Sequence, residues 1–196
     1  MRGWPKRLPN LAFALLWAGS LVLAGENLAG KAALLDLSGR HVNPLRATRA
    51  KATVFVFTRS DCPISNRYAP EVRRLYKKFA PQGVTFWLVY PDPNEAPEAI
   101  RKHREEYAYP FGVLRDPTHA LVTLTGAKVT PEAAVFVRGG EMVYHGRIDD
   151  LYVDFGKTRR APTTHDLEQV LEAVLEGRPV KAASTPAVGC FISDLK

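Results

Sequence analysis

The chain has 196 residues, 46% of them hydrophobic and 24% charged, with a formal net charge of +7. That is the balance of one soluble domain with a full core, not of a disordered or collagen-like chain. No Lys/Arg cluster is interleaved with aromatics, so the charge reads as a mildly basic surface and not as a nucleic-acid footprint.

The chain opens with a basic stretch, Arg2, Lys6 and Arg7, followed by an apolar run from Leu11 to Ala24. The run has signal-peptide length and is short for a membrane span. Residues 1–24 are therefore expected to be a signal peptide, with a cut before Gly25, or else an uncleaved anchor. Export to a periplasm or cell envelope follows, where two cysteines invite a redox reading. Residues 25–178 are expected to form the domain, and 179–196 a C-terminal tail.

Lys31 to Leu45 reads as an opening hairpin turning at Ser38-Gly39. Val54 to Phe57 is an unbroken β-branched and aromatic run, as in a central strand covered on both faces. A short loop then brings Cys62 and Pro63. Proline suits the first helical position, because its missing N–H would have no partner there. Cys62 thus falls at the N-cap, where unpaired N–H groups and the helix dipole favour a thiolate. Ile64, Tyr68, Val72, Leu75, Tyr76 and Phe79 then recur with helical period. Val84 to Tyr90 is the next central strand, completing a right-handed βαβ unit. Glu95 to Tyr107 reads as a charged helix with Ala99, Ile100 and His103 inward. Pro110 to Asp116 gives a short edge strand, and Thr118 to Leu124 a short helix closed by Gly126. Pro131 precedes the strand Ala133 to Val137, which turns at Gly139-Gly140 into Met142 to Ile148. Asp166 to Leu175 is the last helix, ended by Gly177.

A lone cysteine also reads as a small buried hydrophobe. Its strand–helix junction, where open α/β sheets place chemistry, favours a nucleophile. That role needs the sulfur ionised and within reach of solvent. Asp61 opposes ionisation, while Arg59 and Arg67 offset it if they point inward.

This order, with Asp61-Cys62-Pro63-Ile64-Ser65-Asn66, Val129-Thr130-Pro131 and Gly146-Arg147-Ile148-Asp149-Asp150, resembles the thioredoxin superfamily. It is most similar to exported redoxin-domain proteins grouped with the alkyl hydroperoxide reductase and thiol-specific antioxidant family. The resemblance covers roughly Lys31 to Gly177. It implies a thioredoxin-like three-layer α/β/α sandwich around a mixed sheet. It also implies Cys62 as the attacking thiol, a cis-Pro131 facing it, and Thr130 main-chain groups holding an extended peptide. Thioredoxins carry a second cysteine where this chain has Ser65, which can hydrogen-bond a thiolate but not complete a disulfide. The Pro and Thr that peroxiredoxins place before their cysteine are missing, and Glu132 follows Pro131. Arg59, Arg67 or Arg147 would have to steady the thiolate.

Cys190 lies beyond the last helix. About 13 residues at roughly 3.3 Å each reach about 40 Å, so the tail can bring Cys190 to Cys62 as a resolving thiol. A tail cysteine that pairs with another chain, ligates something or does nothing is the alternative. The five histidines show no metal spacing, Asp149-Asp150 reads as a turn or an acidic cleft wall, and no cofactor is implied. Two functions follow. One is an exported thiol–disulfide oxidoreductase or thiol-dependent peroxidase, with Cys62 and Cys190, Thr130 and Pro131 as its site, and Ser65, Arg59 and Arg67 beside the substrate. The other is a non-catalytic redoxin-fold module serving copper or haem assembly.

Overall fold

The computed structural model describes residue 1, residues 34–46 and residues 49–192. The expected leader at 2–24 and the first residues of the opening hairpin lie outside the described residues. Among the described residues no helix is long and apolar enough to cross a membrane.

The sheet is built on β3 (Ala52–Phe57), β4 (Val84–Tyr90) and β5 (Gly112–Arg115), which run parallel, with β4 between the others. β7 (Glu132–Val137) joins β3 antiparallel and β8 (Met142–Gly146) joins β7. β1 (Leu34–Leu35) and β2 (His41–Val42) extend the other side, for a seven-stranded order β2-β1-β5-β4-β3-β7-β8. β5 is therefore not the expected edge strand, because the opening hairpin pairs with it at Leu35–Arg115.

Strand alternation divides the core in two. Val54, Val56, Phe86, Leu88 and Val135 face helices α1 (Pro63–Phe79), α2 (Pro97–Glu106) and α4 (Asp166–Leu175). Phe55, Phe57, Val89, Ala134 and Phe136 face α3 (Ala120–Thr125). Two right-handed crossovers in one direction put α1 and α2 on the same face, and α3, on the connection to antiparallel β7, packs on the other. This is the three-layer α/β/α sandwich with a mixed sheet that the resemblance implied.

Several elements start or stop away from their sequence-predicted ends, two of them with a visible cause or consequence. α2 begins at Pro97, leaving Glu95 in the loop before it. β8 ends at Gly146, where Thr185 of the tail packs so closely that a Cβ would meet its backbone. A small surface hairpin, β9 (Tyr152–Asp154) and β10 (Lys157–Thr158), has no counterpart in the sequence reading.

The tail is tied down along its length. Residues 183–185 run beside β8, with His145 N–H donating to Ala183 and Thr185 N–H to His145. The tail then forms β11 (Cys190–Phe191), antiparallel to β6 (Val129–Thr130). Ile192 closes it, donating its N–H to Lys128 at 2.9 Å and burying its side chain in the second core.

Candidate active site

β3 delivers the chain into the loop Thr58–Asp61, and Cys62 caps α1. Its backbone is extended (φ −87°, ψ 107°), Pro63 takes the first turn, and Ser65 N–H donates to Cys62 Sγ at 3.5 Å. The sulfur thus occupies the place where an N-cap oxygen would meet the unpaired amides and the positive helix end.

The facing wall is the turn from β6 into β7. The Thr130–Pro131 peptide bond is cis. Glu132, buried, accepts the N–H groups of Lys128 and Val129 through one carboxylate oxygen and so fixes the turn. Thr130 carbonyl oxygen stands 3.1 Å from Cys62 Sγ. β11 lies on this same strand, with Cys190 opposite Thr130, and Cys190 Sγ is 2.7 Å from Cys62 Sγ.

The pair is electrically asymmetric. Burial pushes the Cys62 thiol up, but Cys190, the side chain and N–H of Ser65 and the Thr130 side chain near the sulfur outweigh it and leave the thiol below its ordinary value. Cys190 is pushed up to about 12, by burial first, then by its hydrogen bond to Cys62 and the charge there. Of the two thiols, Cys62 is therefore the one that gives up its proton first. As a thiol, Cys62 donates to Thr130 carbonyl; as a thiolate it loses that bond and is held by Cys190 S–H and Ser65 N–H.

The expected solvent-reachable thiol is corrected on one point: Cys62 is 0% exposed, because Thr130 and the docked tail roof it. Ser65 is buried beneath the sulfur, so it meets Cys62 and not a surface. Arg59 Nη2 pairs with Asp61 at 2.8 Å, which offsets the carboxylate that opposed ionisation. Arg67 is exposed on α1. Arg147 pairs with Asp166 at 2.7 Å. Asp149 and Asp150 are not a cleft wall. Asp149 accepts from Tyr68 hydroxyl at 2.5 Å and Asp150 from Thr163 and Thr164 N–H, both carboxylates buried.

A relay absent from the sequence reading holds the cysteine loop from behind. Tyr90 hydroxyl meets His103 Nδ1 at 2.7 Å, His103 Nε2 meets Asn66 Oδ1 at 2.8 Å, and Asn66 Nδ2 donates to Ser60 carbonyl at 2.9 Å. Burial lowers the His103 pKa, so the ring is neutral and the directions are fixed. Tyr90 donates to Nδ1, Nε2–H donates to Asn66, and the amide N–H reaches the loop. Glu95 accepts Ser60 N–H at 3.1 Å from the other side. The available signal was the inward placement of His103, but nothing in the sequence named its partners.

Among the described residues, Glu71, His165 and Glu168 are the one group of three metal-capable side chains within mutual reach. Arg74 bonds both carboxylates and Lys78 pairs with Glu168 at 2.6 Å, so cations of the chain already fill that role.

The family model described as AhpC/TSA family matches residues 27–145. A curated relative, the thiol-disulfide oxidoreductase ResA of Halalkalibacterium halodurans, is 27% identical over 124 residues, 63% of this chain and 68% of its own length. An uncharacterised conserved protein of Geobacillus kaustophilus is 32% identical, with TM-score 0.71 over 82% of this chain and 86% of that one. A secreted disulfide oxidoreductase of Mycobacterium tuberculosis shares the fold, with TM-score 0.51 at 18% identity over 79% of this chain and 99% of that one.

Proposed function

The chain belongs to the AhpC/TSA family, and from that premise we propose that it is a thiol–disulfide oxidoreductase with Cys62 as nucleophile and Cys190 as resolving thiol. The observation that carries this is the approach of the two sulfurs to 2.7 Å, with Cys62 the more acidic of the pair. The ResA likeness supports the reaction class and a protein thiol or disulfide as partner.

In the proposed reaction, Cys62 thiolate attacks one sulfur of a partner disulfide. A Cys62–partner disulfide forms and the other partner sulfur leaves as thiolate. Cys190 gives up its proton and attacks the Cys62 sulfur, expelling the second partner thiolate. The partner disulfide is reduced by two electrons, and the chain is left with a Cys62–Cys190 disulfide. Two external thiols, or one dithiol, return it to the dithiol and leave as a disulfide. The tail segment carrying Cys190 lifts off β6 to admit the partner and returns to resolve the mixed disulfide; Ser65 N–H steadies the attacking charge, Thr130 and Pro131 form the wall for the incoming chain, and Arg59 neutralises Asp61. Arg67 is exposed and is proposed only as a rim contact for the partner.

Disulfide exchange is favoured over peroxide reduction because strand pairing, the geometry β11 adopts on β6, suits a polypeptide. The basic and apolar leader supports export to an oxidising compartment, where such exchange has substrates.

The test mixes the reduced protein with insulin and follows Cys62–Cys190 disulfide formation by mass spectrometry. Cys62→Ser should abolish insulin reduction, and Cys190→Ser should stall as a Cys62–insulin adduct. No reduction by the parent protein sinks the reading, and copper or haem retained by Cys62→Ser would favour the assembly module instead. Oxidation of Cys62 by hydrogen peroxide faster than that of free cysteine would restore the peroxidase version.

A further inference from the structure

A tail that lifts and returns must swing about some fixed point, and the packing around Thr185 is built as one. Tyr144 hydroxyl, on a buried side chain, lies 2.7 Å from Arg147 carbonyl oxygen and 2.6 Å from Thr185 Oγ1, and Arg147 N–H reaches Thr185 Oγ1 at 3.2 Å. A carbonyl only accepts, so the single phenolic proton of Tyr144 goes to Arg147. Thr185 hydroxyl then donates to Tyr144 and accepts from Arg147. The three groups close a ring in which every donor is used once. Beside it, the tail fills the space of a missing side chain: a Cβ on Gly146, whose φ is +146°, would stand 2.4 Å from Thr185 carbonyl oxygen. Two main-chain bonds complete the hold, His145 N–H to Ala183 at 3.0 Å and Thr185 N–H to His145 at 3.2 Å.

The segment beyond is held less firmly. Pro186 is exposed and has no N–H. Among the described residues, the next hydrogen bonds from the tail to the domain are those of the two-residue β11 and of Ile192. Two paired residues and one buried side chain belong to the weakly held end of a structure and open locally.

We infer that Thr185 is a positioning residue for the resolving step: it is the pivot of the tail, so opening is confined to residues 186–192 and Cys190 stays on a five-residue tether. The inference rests on the reading of Cys190 as the resolving thiol. Five extended residues reach about 17 Å. From Arg178, where the tail leaves α4 with its N–H bonded to Ala173, the twelve residues to Cys190 reach about 40 Å. Effective concentration falls as about the −3/2 power of tether length, so releasing the pivot should lower it about fourfold. The site can thus open to a partner while its second thiol stays close by.

The test separates the two chemical steps. Reduced protein in excess is mixed with an aromatic disulfide, dithiobis-nitrobenzoate, in a stopped-flow instrument. One coloured thiolate leaves when Cys62 forms the mixed disulfide, and a second leaves when Cys190 attacks Cys62 and closes the chain's own disulfide. Cys190→Ser should give the first release alone, which identifies the second. In Thr185→Val the first release should be at least as fast as in the parent protein and the second about fourfold slower. Thr185→Ser keeps the hydroxyl and should restore the parent rate of second release. Hydrogen exchange gives a reading without cysteine chemistry. The amides of His145 and Thr185 should outlast that of Ile192 in the parent protein and lose this protection in Thr185→Val, while β3 and β4 stay protected. The inference is overturned if Thr185→Val resolves at the parent rate, if both releases slow together as a general loss of structure would make them, or if Ile192 N–H is the last of the three to exchange. A parent protein that gives only one release would remove Cys190 as resolving thiol and with it the proposed function, while the exchange pattern would leave Thr185 standing as the hinge of the tail.

Discussion

Asn66→Ala tests whether the relay behind the cysteine loop holds that loop in place. Asn66 accepts from His103 Nε2 and donates to Ser60 carbonyl, and His103 is 3% exposed. Truncation leaves the buried Nε2–H without a partner, a loss of about 1–3 kcal/mol, and removes a second bond worth about 1 kcal/mol. Alanine in a helix returns up to about 0.7 kcal/mol of propensity. The net is a destabilisation of about 2 kcal/mol. For a domain of this size it should lower Tm by roughly 4–8 °C. The assay is thermal unfolding by circular dichroism, with Arg67→Ala, one position along the helix and exposed, as a control expected to stay within about 0.5 kcal/mol of the parent. The loop should also loosen, so the Cys62 thiol should titrate higher in Asn66→Ala. A Tm within about 1 °C of the parent, a step too small for an unpaired buried donor, would refute the argument that the relay bears on the loop.

The same relay has a pH signature. Burial holds the His103 pKa below its ordinary value of about 6.5, so its share of stability is full above that pH and is lost as pH falls below it; His103→Phe should lack this component in a Tm–pH series. Cys190→Ser removes a hydrogen bond that lowers the Cys62 thiol, and the midpoint of Cys62 alkylation should move up; a midpoint unchanged or lower contradicts the shared-proton picture. Glu132→Ala frees the buried N–H of Val129 and that of Lys128, which should cost about 2 kcal/mol in urea unfolding and slow insulin reduction; wild-type stability would show that the clamp is dispensable. Glu168 is held down at about 2 by Arg74 first, against burial, and then by Lys78, so its ion pairs stabilise the α1–α4 contact above the ordinary carboxylate range of about 4.3 and are lost as pH falls through about 2. The Tm gap between Glu168→Gln and the parent should close on that side, and a gap that persists at the acid end counts against it.

Much of the frame was legible because its causes are local. The buried run before Cys62 reads as a strand from its own residues. Pro63 and the stripe from Ile64 to Phe79 set a helix start within a few positions, and that start places Cys62 at an N-cap. Strand, helix and strand of such lengths then leave one handed arrangement. These steps need only neighbours, propensity and period.

What remained hidden depends on contacts between distant parts of the chain. Cys62 and Cys190 are 128 residues apart, and reach alone allows the tail to lie almost anywhere. Its position is decided by Thr185 against Gly146, β11 on β6, and Ile192 in the second core. The isomer of the Thr130–Pro131 bond and the clamp by Glu132 are likewise set by what packs around them. Asn66, His103 and Tyr90 sit on two helices and a strand with no shared spacing. The sequence determined where a sulfur would meet a helix end, because capping is a matter of adjacent residues. Whether that sulfur faces water or a second sulfur was decided by the tertiary structure, because burial belongs to the surroundings and no residue carries it alone.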